Sequence, residues 1–559
     1  MKALKFFVLI AVITLTICAS ACASDVLSTN KLWFTLPDNT IDGLGEIRIY
    51  ATDKAYYLFL PSSYNHTEGL VVRTTISDGI YVAGELVKDN ELSHAIKPNE
   101  KVEIKIANQR YTLTIMQSSK IPAMWIATEN KTTRYIHTSR SHTETGKMLL
   151  LDPLGETVYQ GDLSQIKGRG NVTFAFPKKP YQIKLANSTD LLGMGKNKTW
   201  ILLADFNDYS LMRNKLTFDF AAQLGLPYIS QANWVDLYVD GNYVGTYLLC
   251  EKVQIAGTRI DIADLEEETE FANPDPLTNF RRKVLAATNE SGTTRGYLIP
   301  ENPPDITGGY LLELDYYERY IAELSGFMTK AGQPVVIKSP EIASLEQAAY
   351  IQSFMQGYEN AISAPDGIDP LSGKHYSEIV DLDSLVAKYL VDEIAKNPDG
   401  NVSSQFFFKP GDSQSAVAFA GPVWDYDTSY GNFYTVVAAY ALPVNLAVAV
   451  DTGEPYYWWP RLYRQPDFYK QVVSTYHHSC VPLLRILTGL DTDNPLNLPT
   501  LDAYEQLLTD SAAMNFTRWP FIEREKHKVD TGNSFTDNVA YLRNYIINRM
   551  AFLDETWVQ

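Results

Sequence analysis

The stretch that most constrains this chain is Val235-Asp236-Leu237-Tyr238-Val239, Asp240-Gly241-Asn242, Val244-Gly245-Thr246-Tyr247-Leu248-Leu249. Two apolar-rich strands joined through Asp-Gly predict a tight β-hairpin, because residues tolerant of positive φ make the turn whose twist matches the strands. Upstream, Met124–Ala127 and Met148–Leu151 read as strands, followed by the turn Ile166-Lys167-Gly168-Arg169-Gly170-Asn171 and the strand Tyr181–Leu185. A helical period runs from Ser210 to Leu224 and stops at Gly225, a residue suited to ending a helix in the left-handed conformation. The order is strand, glycine-rich turn, strand, helix, hairpin, which predicts an α+β plan.

The flanking segments differ in pattern. From about Lys31 to Met116 short alternating runs such as Glu46–Tyr50, Ala55–Leu60 and Val102–Ile106 predict a small Ig-like β-sandwich covering 24–118. A mixed core is expected over 119–450, with the polar, Pro/Asn-rich stretch 266–304 as an insertion. Helical periods return at Ser344–Ile362 and Leu382–Lys396, and 451–559 reads as largely helical, as in Asp537–Asp554.

Residues 1–23 carry Lys2 and Lys5, an apolar run from Phe6 to Ile17 and small residues before Ser24, the pattern of a secretory signal peptide. Cleavage after Ala23 is the preferred reading, with lipid attachment at Cys22 as the rival; either puts the mature protein outside the cell or on its surface. No later segment has the roughly 20 apolar residues needed to span a bilayer. Only Cys250 and Cys480 lie beyond the signal, so this is not a disulfide scaffold. A net charge of −18 argues against a nucleic-acid partner, which needs a basic face, and suits a Lys/Arg-rich protein partner.

Two clusters could carry chemistry. Gly168, Arg169, Gly170 and Asn171 could bring backbone N–H groups to a phosphate, with Lys184 on the next strand as a point charge. The bland alternative is a tight turn beside a surface lysine. The second cluster is Asn397-Pro398-Asp399-Gly400-Asn401, then the strand Gln405–Phe408, then Val423-Trp424-Asp425-Tyr426-Asp427. Two acidic loops joined by an apolar strand can hold Mg²⁺ beside a nucleophile, since magnesium takes one or two carboxylates and leaves room for phosphates. Taken alone, Asp399 is equally a turn former before Gly400. The adjacent His477 and His478 cannot share a helix face and read as structural.

These motifs, together with Lys178-Lys179-Pro180-Tyr181-Gln182-Ile183-Lys184-Leu185, Leu191-Leu192-Gly193-Met194, Arg213-Asn214-Lys215-Leu216 and Gly245-Thr246-Tyr247-Leu248-Leu249-Cys250-Glu251-Lys252, resemble the CotH kinase family. The similarity runs from about Ile121 to Asn432. The resemblance implies an atypical protein-kinase-like fold, with a β-rich N-lobe and a helical C-lobe, that uses ATP and Mg²⁺ or Mn²⁺. By that resemblance Lys184 contacts the ATP phosphates under the Gly168–Asn171 turn, and Arg213 or Asn214 faces them from the first helix. Glu251 lies at the hinge near adenine, Asp425 binds metal, and Asp399 orients the hydroxyl nucleophile. Asn401 or Asp427 is the second metal ligand, and Asp219 is a candidate partner for Lys184. The chain departs from ordinary kinases in lacking His-Arg-Asp and in placing Ser404 five residues after Asp399. The expected function is an exported, ATP- and metal-dependent Ser/Thr kinase of secreted, spore-coat-like or surface proteins, with a Ser/Lys/Arg-rich acceptor as the suited partner. The alternative is a surface-binding or adhesive protein on a degenerate kinase fold.

Overall fold

A computed structural model describes residues 31–37, 43–280, 283–288, 292–433, 438–450, 454, 456–495, 497–521 and 532–558. The expected signal peptide lies outside the described residues. The chain divides into two compact units. One comprises the residues up to Thr133 with Lys147–Gln160 and Asp236–Gly245, and the other comprises Arg134–Gly146, Gly161–Val235 and Thr246 onward.

The first unit holds two sheets. Four strands lie in the order Glu46–Arg48, Leu32–Thr35, Leu70–Thr74, Glu91–Ser93. Six more follow the order Tyr50–Ala51, Tyr56–Leu60, Gln109–Gln117, Lys101–Ile106, Ile80–Val82, Glu85–Val87. Alternation sets their faces: in Lys101–Ile106 the buried residues are Val102, Ile104 and Ile106, with Lys101 and Glu103 exposed. Phe34, Ile47, Leu58, Phe59, Leu70, Val72 and Ile104 are fully buried and form its core.

A further sheet closes into a seven-stranded barrel. Its order is Ala123–Thr128, Glu144–Leu151, Thr157–Gly168, Tyr181–Asp190, Lys196–Leu203, Asn242–Glu251, Ala232–Val239. Closure removes the edges that an open sheet leaves unpaired. The expected hairpin is present, with Asp240 (φ 48°) and Gly241 (φ 77°) both left-handed as the tight turn requires.

In the second unit the first helix runs Arg213–Gln223 and ends before Gly225 at φ 76°. It starts three residues later than its period suggests, because Asp208 collects the preceding amides. Its carboxylate accepts from Ser210 N, Met212 N and Arg213 N at 2.8–3.1 Å, so Ser210 stays in the loop. A seven-stranded sheet follows the order Lys283–Thr288, Gly292–Tyr297, Gly326–Met328, Pro334–Ser339, Tyr310–Leu314, Gln405–Lys409, Phe419–Ala420. Its first two strands come from the stretch 266–304. The Pro/Asn-rich flanks hid the short run Gly292–Tyr297, whose Thr294–Tyr297 are buried.

The helix Leu345–Ser363 opens with a capping box in which Ser344 and Gln347 each bond the other's backbone N–H. The helix Leu382–Ala395 is capped by Asp381 and stopped by Lys396 in the left-handed conformation. Its buried Tyr389 lies 5.6–6.4 Å from the rings of Trp459, Tyr463, Phe468 and Trp557. The C-terminal part is helical as expected, ending in Leu501–Arg518 and Phe535–Thr556. Among the described residues no helix is long and apolar enough to cross a membrane. Cys250 and Cys480 are both buried free thiols. His477 and His478 face the carbonyls of Trp557 and Ser474, a structural role.

Candidate functional site

The second acidic cluster is built on one buried carboxylate. Asp392, fully buried near the end of the helix Leu382–Ala395, receives Lys388 Nζ one turn back at 2.5 Å. Its other oxygen accepts from Tyr426 Oη at 2.5 Å and Asn397 Nδ2 at 2.9 Å. Lys388 Nζ also donates to Gln405 Oε1 at 2.5 Å. This buried ion pair therefore ties down the Asn397–Ser404 turn, the start of the following strand and the Trp424–Asp427 loop. Asn397 Oδ1 then accepts Asp399 N at 3.0 Å, and the Asp399 carbonyl accepts Val402 N and Ser403 N.

Asp399 and Asp425, singled out separately in the sequence, are brought together. Burial, and next the charge of Asp425, push the Asp399 carboxyl up to about 6, although a hydrogen bond from Tyr316 Oη (3.0 Å) pulls the other way. Asp425 adopts φ 70° and Ser404 φ 55°, conformations rare for residues with a Cβ and concentrated at functional sites. Burial also raises Asp425, while Arg169, Arg319 and the Ser404 hydroxyl draw it down. Asp427 is raised well above the usual range, by burial first and then by Asp425, Asp205, Asp208 and Asp399. Asp205 reaches about 7, through burial and the charge of Asp208, opposed by Asn214 and Lys178. These carboxylates cannot all ionise comfortably without a cation.

The helix Arg213–Gln223 supplies a strut. Asn214 donates to Asp205 Oδ1 at 2.9 Å and accepts Tyr426 N at 2.7 Å, fixing the loop between Asp425 and Asp427. Arg213 is fully buried, with its guanidinium on Asp208 (2.5 Å) and on the Ser429 carbonyl (3.0 Å). It anchors the same loop from below, which leaves the nucleotide-facing role expected of it without support.

Of the two cations that act on Asp425, the stronger is Arg169. Its guanidinium lies 5.5 Å from the Trp424 ring and interacts with Asp425 and Glu313. The turn that carries it is close-packed: a Cβ on Gly168 would fall 2.3 Å from the Phe174 ring, and Gly170 has φ 85°. Arg169 N donates to Pro180 O, and Arg140 donates to Gly170 O and to Asn171 Oδ1. Lys184 pairs in register with Gln165 and Thr199 and is exposed, while its neighbours Ile183 and Leu185 point inward. Asp219, its candidate partner, is bonded by Lys215 (2.5 Å) and by the Tyr504 hydroxyl. Residues at even and odd positions leave opposite faces of a strand, so Lys184 lies on the face opposite Ile183 and Leu185. Glu251 is buried and bound by Arg259, Tyr228 and Gln231 N, so its side chain is a structural anchor.

Sequence reasoning missed Asp205, Lys388, Asp392, Tyr316 and Arg319. A signal existed for one pair: Lys388 and Asp392 are opposite charges four apart in one helix. Tyr316 had none, because its partner lies 83 residues away.

For a metal, Asp425 and Asp427 offer hard oxygens. Asn401 donates to Val448 O at 2.8 Å, and its Oδ1 is buried without a hydrogen-bond donor. Among the described residues no three His, Cys, Asp or Glu groups suffice to hold a metal by themselves. That donor set fits a Mg²⁺-like ion completed by phosphate oxygens and water.

No curated protein matches the chain. The family model described as CotH kinase protein matches residues 166–553, which takes in the glycine turn, both acidic loops and the C-terminal helices. With that match over more than half its length, the chain belongs to the CotH kinase family.

Proposed function

We propose that this chain is an exported CotH-like protein kinase that transfers the γ-phosphoryl group of ATP to a Ser or Thr hydroxyl of a secreted or surface protein. The observation that carries the reading is the pairing of Asp399 with Asp425: two carboxylates on interlocked loops, the first raised by the charge of the second, with Arg169 and Arg319 drawing the second down. The barrel and the helical remainder stand for the two lobes of a kinase-like fold, and the N-terminal unit for a sandwich used in display or attachment. The N-terminal signal pattern supports export, and the acidic surface suits a Ser/Lys/Arg-rich acceptor.

Asp399 would accept the hydroxyl hydrogen and aim the oxygen at phosphorus. As the new O–P bond forms, the bond from phosphorus to the β–γ bridging oxygen breaks, ADP leaves, and the proton passes to Asp399 or on to solvent. Asp425 and Asp427, with Asn401 as a further oxygen, would hold Mg²⁺ or Mn²⁺, which when bound neutralises charge on the phosphates. Arg169 would add fixed positive charge at the same place without reorganising. Ser404 keeps the Asp425 carboxylate oriented where ordinary kinases have Asn.

The test incubates the mature protein with γ-labelled ATP, Mg²⁺ or Mn²⁺ and a Ser/Lys/Arg-rich protein acceptor, beside Asp425→Ala. Metal-dependent label on Ser or Thr, lost in the variant, is the expected result. Absence of label in the unaltered protein would turn the account toward a binding protein on a kinase fold.

A further inference from the structure

The hydrogen bond from Tyr316 to Asp399 does something the loop architecture does not need. Asp399 is already fixed through its backbone: its N–H donates to Asn397 Oδ1, and its carbonyl accepts Val402 N and Ser403 N. Tyr316 is likewise fixed without its phenol. Its N–H donates to Asp315 Oδ1 at 2.8 Å, and Asp315 is held by Ser403 Oγ at 3.0 Å and Arg319 Nη1 at 3.2 Å. Arg319 Nη1 also reaches Ser403 Oγ at 2.8 Å, closing a partly buried clasp between the two segments. Beside this clasp runs a separate, solvent-accessible bond, Tyr316 Oη to Asp399 Oδ1 at 3.0 Å. Tyr316 is 40% exposed and is flanked by Tyr317 and Ile321, each about half exposed.

The bond has the chemistry of substrate binding. An acceptor serine or threonine presents an O–H donor to this carboxylate, and the phenol is an O–H donor resting on one of its two oxygens. We propose, on the reading that Asp399 receives the acceptor hydroxyl, that Tyr316 is a placeholder at the acceptor site: it occupies Asp399 Oδ1 between turnovers, and the incoming hydroxyl displaces it. Displacement is cheap by construction. The clasp at Asp315, Arg319 and Ser403 keeps both segments in place while the ring, 40% exposed, swings into solvent. The freed phenol exchanges one hydrogen bond for another with water. The device keeps Asp399 from being satisfied by any passing hydroxyl, water included, and thereby favours a tethered acceptor over hydrolysis of ATP.

Tyr316→Phe removes one oxygen and keeps the ring against the Arg319 guanidinium, which lies 5.4 Å from its centre. The KM for a protein acceptor should fall about three- to tenfold, the range one hydrogen bond covers, with KM for ATP unchanged and acceptor-free ATP hydrolysis raised by a similar factor. A merely structural bond would lower the melting temperature and leave the acceptor KM where it was, which overturns the proposal. A fall in kcat at unchanged acceptor KM overturns it as well, assigning Tyr316 to the positioning of Asp399. If neither form transfers phosphate to any acceptor, the kinase reading itself fails and the placeholder falls with it. Transfer by the unaltered protein, with no change in Tyr316→Phe, defeats the placeholder alone.

Discussion

Asp392 is the place where a single atom group should decide both stability and chemistry. Replacing it with alanine leaves Lys388 charged, fully buried and without its counterion, and leaves Tyr426 Oη and Asn397 Nδ2 without their acceptor. Breaking a buried pair from one side costs about 3–5 kcal/mol, a large share of the roughly 5–15 kcal/mol that holds a domain folded. Lys388→Met should cost less, about 3 kcal/mol, because Asp392 keeps two neutral donors. The double variant Lys388→Met with Asp392→Ala removes both charges together, so its cost should fall short of the sum by about 2 kcal/mol. Urea unfolding followed by tryptophan fluorescence reads all three, since Trp424, Trp458 and Trp459 lie in the same unit. Asp392→Asn, which can still accept from Tyr426 and Asn397, should fold and yet lose about 100-fold in turnover by loosening both acidic loops. A cost below about 1 kcal/mol for Asp392→Ala, or strict additivity in the cycle, would refute the claim that one carboxylate binds the loops together.

Other consequences follow from the same geometry. Asp205 and Glu313, each pushed up to about 7 chiefly by burial, and Asp399 at about 6, keep protons in the folded protein that unfolded carboxyls release near 4. The folded state therefore binds more protons between about 4 and 7, so the stability these groups contribute falls as pH rises through that window and levels off above it. Thermal melts from pH 5 to 8 check the sign, and Mn²⁺ with ATP should flatten the fall. Arg169→Ala should raise KM for ATP by about tenfold or more, whereas Lys184→Ala should leave it unchanged; steady-state kinetics on the pair separates the two cations. Asn214→Ala leaves Tyr426 N and Asp205 without partners and should cost about 1–3 kcal/mol, read by the same urea assay, together with a loss of turnover.

Local rules carried the fold a long way. Asp-Gly announced the hairpin, Gly225 the end of the first helix, and alternation the strands of the N-terminal unit. They failed where a distant partner overrode them. Asp208 claimed the amides that Ser210 was expected to start a helix with, and the strand Gly292–Tyr297 takes its place in the sheet by pairing with Gly326–Met328, far along the chain, as well as with Lys283–Thr288. The acidic half of the site was legible because Asp399 and Asp425 sit in motifs. Of its expected basic residues, Arg169 lies beside Asp425, whereas strand register puts Lys184 on the exposed phase, opposite Ile183 and Leu185, which a linear motif does not show. Arg213 and Glu251 stood in motif positions too, and each makes a buried ion pair, with Asp208 and Arg259, that a linear motif does not announce.

The account turns on whether the Trp424–Asp427 loop gathers metal and nucleotide together. Calorimetric titration of ATP into the protein, with and without Mn²⁺, beside Asp425→Asn, tests that directly. The account predicts binding that requires the metal and disappears in the variant while the melting temperature holds. Nucleotide binding that ignores the metal, or survives Asp425→Asn unchanged, would contradict it.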